Sequence, residues 1–187
     1  MTGPVRAFVA LAIPDGVKTA IGRARDPLRA ELPRARWVRV EAQHLTLKFL
    51  GEAPRSTLDA LVADLAPALV GLGGVRVALG GAGFFPSLNR PRVAWLGGMA
   101  DGVDAVVGAV EEAAEVHGFP RERRPWSLHL TQARLNRPWP REAVDSFIAW
   151  GRNLDLEEFV AGEVALFSSR LEPGGAVYTA LQWMPLQ

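Results

Sequence analysis

Residues 44–50 read HLTLKFL, and residues 127–135 read SLHLTQARL. Successive side chains of a strand point to opposite sides, so the first stretch sets His44, Thr46, Lys48 and Leu50 on one face and Leu45, Leu47 and Phe49 on the other. The second stretch sets His129, Thr131 and Ala133 on one face in the same way. Both read as strands with an apolar side for a core and a polar side for a site. The same His-Leu-Thr in separate halves of the chain points to two similar lobes.

The surroundings fit that reading. Residues 5–13, VRAFVALAI, lie between Pro4 and Pro14 and read as a buried strand. Asp15 is placed to cap a helix over 16–32, with a kink or a division into two pieces expected at Pro27. A strand follows at 36–40. After the first motif, Ser56 precedes Leu58, Leu61, Val62, Leu65 and Leu69, the spacing of a capped amphipathic helix. A strand at 75–79, a turn at Gly80, Gly81 and Gly83, and a strand at 92–96 come next. Val103, Val106, Val107 and Val110 mark a second amphipathic helix over 101–117, and a basic loop, Arg121 to Arg124, leads into the second motif. A short helix at 140–150 and a hairpin of 162–168 with 176–183, turning at Glu172-Pro173-Gly174-Gly175, complete the pattern. Several strand pairs are joined by turns too short for parallel crossovers, so the expected class is α+β with largely antiparallel sheets.

Composition sets the limits. The 187 residues are 49% hydrophobic and 22% charged, enough to bury a core, and one domain over 1–187 with two lobes is expected. The formal net charge is +1, so an anion site must be local rather than spread over the surface. Lys18 and Lys48 are the only lysines; the other basic residues are arginines. The absence of cysteine excludes disulfides, thiolate metal sites and cysteine nucleophiles. Pro14 and Asp15 stand where a signal peptide would place its small residues, and no apolar run approaches the roughly 20 residues of a membrane span. A cytoplasmic monomer with no obligate protein partner is expected.

The chemistry follows from the residue types. Imidazole titrates near neutrality, so two histidines in one pocket can serve as acid and base together. Threonine two residues along shares the histidine's face and offers a hydroxyl to an anionic oxygen. Two such strands face to face would hold a phosphate between four polar side chains, with no metal or other cofactor. No set of His, Asp and Glu has ligand spacing, and no Gly-Lys-Ser/Thr follows the glycines. Lys48 and Arg134 are candidate charge donors, although strict alternation puts Arg134 opposite His129 and Thr131 unless the strand bulges. Trp126 and Phe8 are candidates for stacking a base, while Trp37, Trp95, Trp139, Trp150 and Trp183 read mainly as core. His117, before Gly118, reads as a helix-end cation outside the site.

At these residues the sequence resembles the 2H phosphoesterase superfamily, and within it the RNA 2′,3′-cyclic phosphodiesterases once called 2′-5′ RNA ligases. The resemblance rests on motif one (44–47) with Lys48-Phe49-Leu50-Gly51 and motif two (129–132) with Ala133-Arg134. It extends to Arg6-Ala7-Phe8-Val9-Ala10, Phe84-Phe85-Pro86, the stretch 91–97, Phe167-Ser168-Ser169 and Tyr178-Thr179. Leu128 stands where the family commonly has proline, and Gln132 where it usually has an apolar residue. The resemblance implies a bilobal fold with a pseudo-twofold axis and a central cleft. It also implies metal-independent hydrolysis of cyclic ends at RNA 3′ termini to 2′-phosphomonoesters. His44 would be the proton donor, His129 the acceptor, Thr46 and Thr131 the phosphate holders, and Arg134 an aid at the nucleotide. A reversible 2′-5′ ligase, a phosphodiesterase on other small cyclic nucleotides, and a non-catalytic module that binds RNA ends are the alternatives.

Overall fold

The computed structural model describes residues 3–172 and 175–186. In chain order the elements are β1 (Val5–Ala12), α1 (Asp15–Glu31), β2 (Arg36–Trp37), a 3-10 turn (Val40–Ala42), β3 (His44–Ala53), α2 (Arg55–Leu69), β4 (Val75–Phe85) and β5 (Val93–Asp101). Then come α3 (Val103–Val116), β6 (Leu130–Arg134), α4 (Arg141–Arg152), β7 (Phe159–Ala161), β8 (Glu163–Glu172) and β9 (Gly175–Pro185). The strands form two sheets, ordered β3-β1-β8-β9 and β2-β6-β5-β4-β7, and the pairings are antiparallel. The class is α+β, as the short connections require.

The repeat lies in the order of elements. A strand, a helix, a motif strand and a second helix occur as β1, α1, β3, α2 and again as β5, α3, β6, α4. In each sheet the motif strand lies beside the first strand of its set, β3 beside β1 and β6 beside β5. One apolar cluster joins both sheets, with Val9 and Leu11 of β1, Leu45 of β3, Val77 of β4, Leu96 of β5 and Leu130 of β6 packed with the inner faces of α2 and α3. A smaller cluster, built on Leu28, Phe84, Trp139 and Phe147, sits where α1 and α4 cover the second sheet. Of the residues that the sequence marks for the core, α2 buries its four leucines and α3 buries Val103, Val106 and Val110, while Val62 and Val107 are partly buried against them.

Several local expectations are corrected. Pro27 does not divide α1, which runs unbroken from Asp15 to Glu31. Neither Asp15 nor Ser56 is the cap: the N-cap positions are Pro14 and Pro54, and no side chain bonds there. Gly80, Gly81 and Gly83 do not turn the chain; they lie within β4, where the register slips between Leu79 and Ala82 and Gly81 has φ +73°. Gly83 is required for a different reason, because the Trp95 indole lies where its side chain would be. The second motif strand begins at Leu130, so His129 stands just ahead of it. The closing hairpin is present as β8 and β9, while Pro173 and Gly174 of its expected turn lie outside the described residues.

Candidate active site

A cleft of about 400 Å³ opens between the sheets, and both motifs line it through His44, Thr46, His129 and Thr131. Its other basic groups are Arg6, Arg36 and Arg134, and among the described residues no carboxylate lines it. Among the described residues none of these arginines pairs with a carboxylate, although Lys18, Lys48, Arg55, Arg121 and Arg141 all do. Three guanidinium groups without a carboxylate partner in one cleft favour an anion there.

The two histidines are held alike. Nδ1 of His44 lies 2.9 Å from the carbonyl of Ala42, and Nδ1 of His129 lies 2.9 Å from the carbonyl of Ser127, in each case two residues back. A carbonyl accepts only, so Nδ1 carries the proton in both rings and Nε2 is left for the cleft. Their surroundings differ. His44 stacks on Phe8 at 4.5 Å between ring centres, meets Tyr178 edge-on at 4.9 Å and has Phe167 at 5.8 Å. This burial pushes its pKa down to about 4; the neighbouring Lys18, His129 and Arg134 act in the same direction, and the bond to Ala42 opposes them. His129 has Phe85 edge-on at 5.4 Å.

One backbone irregularity, made twice, decides which other side chains reach the cleft. Ala10 faces Thr46 and Val9 faces Lys48, so Leu47 is an extra residue in β3. Trp95 faces Thr131 and Ala94 faces Ala133, so Gln132 is the extra residue in β6. Each bulge follows its threonine and reverses the alternation beyond it. Lys48, expected beside the motif, is therefore turned inward: it is 2% exposed, and its Nζ donates to Glu111 at 2.7 Å and to the Pro120 carbonyl at 2.8 Å. It is an internal ion-pair partner and cannot reach a phosphate in the cleft. Phe49 takes the cleft side in its place. In β6, Ala133 goes inward and Arg134 comes to the face of Thr131.

Neither base-stacking candidate is free to stack a base. Trp126 is packed against the core, away from the cleft lining, and its Nε1 donates to the Thr46 carbonyl at 2.8 Å. Phe8 lines the cleft but is 3% exposed, and its ring face is given to His44. Among the tryptophans read as core, Trp183 is instead half exposed. His117 stays outside the site, where its Nε2 meets Asp64 of α2 at 2.8 Å. Arg121, Arg123 and Arg124 are exposed on their loop away from the cleft lining. Among the described residues no group of three His, Cys, Asp or Glu is placed to hold a metal ion.

Two residues that the sequence reading passed over, Arg25 and Gln43, join Gln132 and Trp126 in tying the motifs together. Gln132, fully buried by its bulge, accepts at Oε1 from Nε2 of Gln43 at 3.1 Å and from Nη1 of Arg25 at 3.3 Å, and Arg25 also donates to the Val38 carbonyl at 2.9 Å. Gln43 directly precedes His44, and Gln132 directly follows Thr131. The start of one motif is thus bonded to the end of the other, and Trp126 makes the reciprocal link to Thr46. The polar Gln132, anomalous as a strand residue facing a core, is the hub of this network. Leu128, in the proline position, is simply buried. The Arg6 guanidinium, also unforeseen, lies 4.6 Å above the Phe49 ring.

A family profile described as LigT-like phosphoesterase matches residues 11–95. An RNA 2′,3′-cyclic phosphodiesterase of Thermus thermophilus is 33% identical, with 98% of this chain and 91% of the relative aligned. One of Methanothermobacter thermautotrophicus is 28% identical over 95% of this chain and 97% of its own. Among solved structures, TT0787 of Thermus thermophilus superposes with a TM-score of 0.81 at 29% identity, covering 97% of both chains. Escherichia coli LigT with 3′-AMP, at 24% identity and a TM-score of 0.72, shares the fold over 98% of this chain and 99% of its own. With paired motifs across one cleft and a relative one-third identical along almost its whole length, the chain belongs to the LigT-like phosphoesterase family.

Proposed function

We propose that the chain hydrolyses 2′,3′-cyclic phosphate ends of RNA to 2′-phosphomonoesters, with His44 and His129 as the reacting pair. The observation that carries this reading is the pair of imidazoles, each held by a carbonyl at Nδ1, lining one arginine-rich cleft without a carboxylate. Water attacks phosphorus in line with the 3′ oxygen. Nε2 of His129 takes the water's proton, Nε2–H of His44 gives its proton to the departing 3′ oxygen, and the bond from phosphorus to that oxygen breaks. Thr46 and Thr131 donate hydroxyl bonds to the non-bridging oxygens, and Arg134 offsets the charge that builds on them.

With a pKa of about 4, His44 is neutral in the empty cleft at pH 7. Its donor role therefore requires a substrate anion, which restores the charged form by direct attraction, so the acid's proton is taken up with the substrate. The names of the Thermus and Methanothermobacter relatives support the same substrate class. The reading needs no cofactor and places the enzyme in the cytoplasm as a monomer, the latter checked by light scattering. RNA ending in a 2′,3′-cyclic phosphate, incubated with the protein and EDTA, should give a 2′-phosphate. His44→Ala and His129→Ala should each lower kcat by about 10²–10⁴-fold while binding of the end persists. Wild-type turnover that EDTA abolishes, or full activity in both variants, would refute the assignment.

A further inference from the structure

The wall of the cleft formed by β1 and β3 carries a feature that hydrolysis of the terminal phosphodiester does not use. The bulge at Leu47 leaves Phe49 on the cleft side with 46% of its surface exposed. The guanidinium of Arg6, on the neighbouring strand, is seated 4.6 Å from the centre of that ring, and both side chains line the cleft. Phe49 stands three residues beyond Thr46, and its ring carries no donor for a phosphate held between the threonines. An aromatic face and a cation without a carboxylate partner are the two groups with which proteins hold single-stranded nucleic acid, the ring against a base and the cation against the backbone.

The opposite wall is built differently. Three residues beyond Thr131 stands Arg134, with Arg36 beside it in register across β2 and β6. At matching positions one wall thus offers a guanidinium beside a second guanidinium, and the other offers a ring with a guanidinium over it. We propose that Arg6 and Phe49 hold the nucleotide 5′ of the cyclic end, so that the preferred substrate is an oligoribonucleotide rather than a cyclic mononucleotide. This rests on the reading that the histidines act on a cyclic end. The base packs against the Phe49 and Arg6 pair, and the internucleotide phosphate accepts from the outer N–H groups of Arg6.

The test is steady-state kinetics on a 2′,3′-cyclic mononucleotide and on a tetraribonucleotide that ends in the same nucleotide with a 2′,3′-cyclic phosphate. The wild type should prefer the tetranucleotide in kcat/KM by about tenfold or more, within the range that stacking one base on an aromatic side chain supplies. Phe49→Ala should lose most of that preference, chiefly through KM, and keep the mononucleotide rate within about twofold, which also reports that it is folded, while Arg6→Ala should lose several-fold more on the tetranucleotide than on the mononucleotide. Phe49→Leu and Arg6→Ala carry the test if Phe49→Ala does not fold. Equal losses on both substrates, or no loss on either, overturn the subsite. A wild type that cleaves both substrates equally well overturns the subsite alone, whereas one that cleaves neither overturns the reading of the histidines and the subsite with it.

Discussion

His44 and His129 were legible as a pair because the same tripeptide occurs twice in a chain with three histidines. Their inequality was not legible. It arises because Phe8 and, from strands far along the chain, Phe167 and Tyr178 gather round His44, and nothing in HLTLKFL announces those neighbours. The inequality is measurable. In NMR titration of the free protein, the His44 ring should keep its neutral signature down to about pH 4 and shift upward when an anionic nucleotide binds; a free value at or above 6.5 would show that the rings do not exclude water. The sign for stability follows from proton counting. Between pH 6.5 and 4 the unfolded chain protonates this ring while the folded chain does not. Acidification through that interval therefore costs stability at this residue, stability that is fully present above 6.5. His44→Asn should flatten that part of the pH dependence in chemical unfolding.

At the scale of the element, strict alternation was a sound guide up to each threonine and misleading beyond it. The bulges depend on pairing with β1 and β5, so a strand read alone could not show that Lys48 turns inward or that Arg134 turns outward. Two substitutions test their consequences. Gln132→Leu supplies the apolar residue common in the family but strips acceptors from Gln43 and Arg25; since buried donors left unpaired cost about 1–3 kcal/mol, a loss of that size is expected in urea unfolding. No loss would mean that water or rearrangement satisfies them. Lys48→Met leaves Glu111 buried without its partner and should cost about 3–5 kcal/mol, most of it recovered when Glu111→Leu is added. A Lys48→Met variant that is stable but catalytically weak would instead return Lys48 to the site.

For the whole molecule, the antiparallel α+β architecture could be read from short connections and helical periodicity, whereas the exchange of strands between the sheets could not. It depends on pairings such as β2 with β6 and β1 with β8, which join distant parts of the sequence. We propose that the two lobes form a single domain, since one apolar cluster includes residues of both sheets. Heat or denaturant should unfold them in one transition, seen alike by tryptophan fluorescence and far-ultraviolet circular dichroism; separate transitions would show independent lobes. The pairing of β1 with β8 also bears on synthesis. A ribosome makes β1 and β3 early, yet the far edge of β1 stays open, and the aromatic wall behind His44 is missing, until residues 163–185 emerge. A chain stalled before that point would carry a complete first motif beside a bare apolar strand edge, a template for aggregation that nascent-chain chaperones would have to cover.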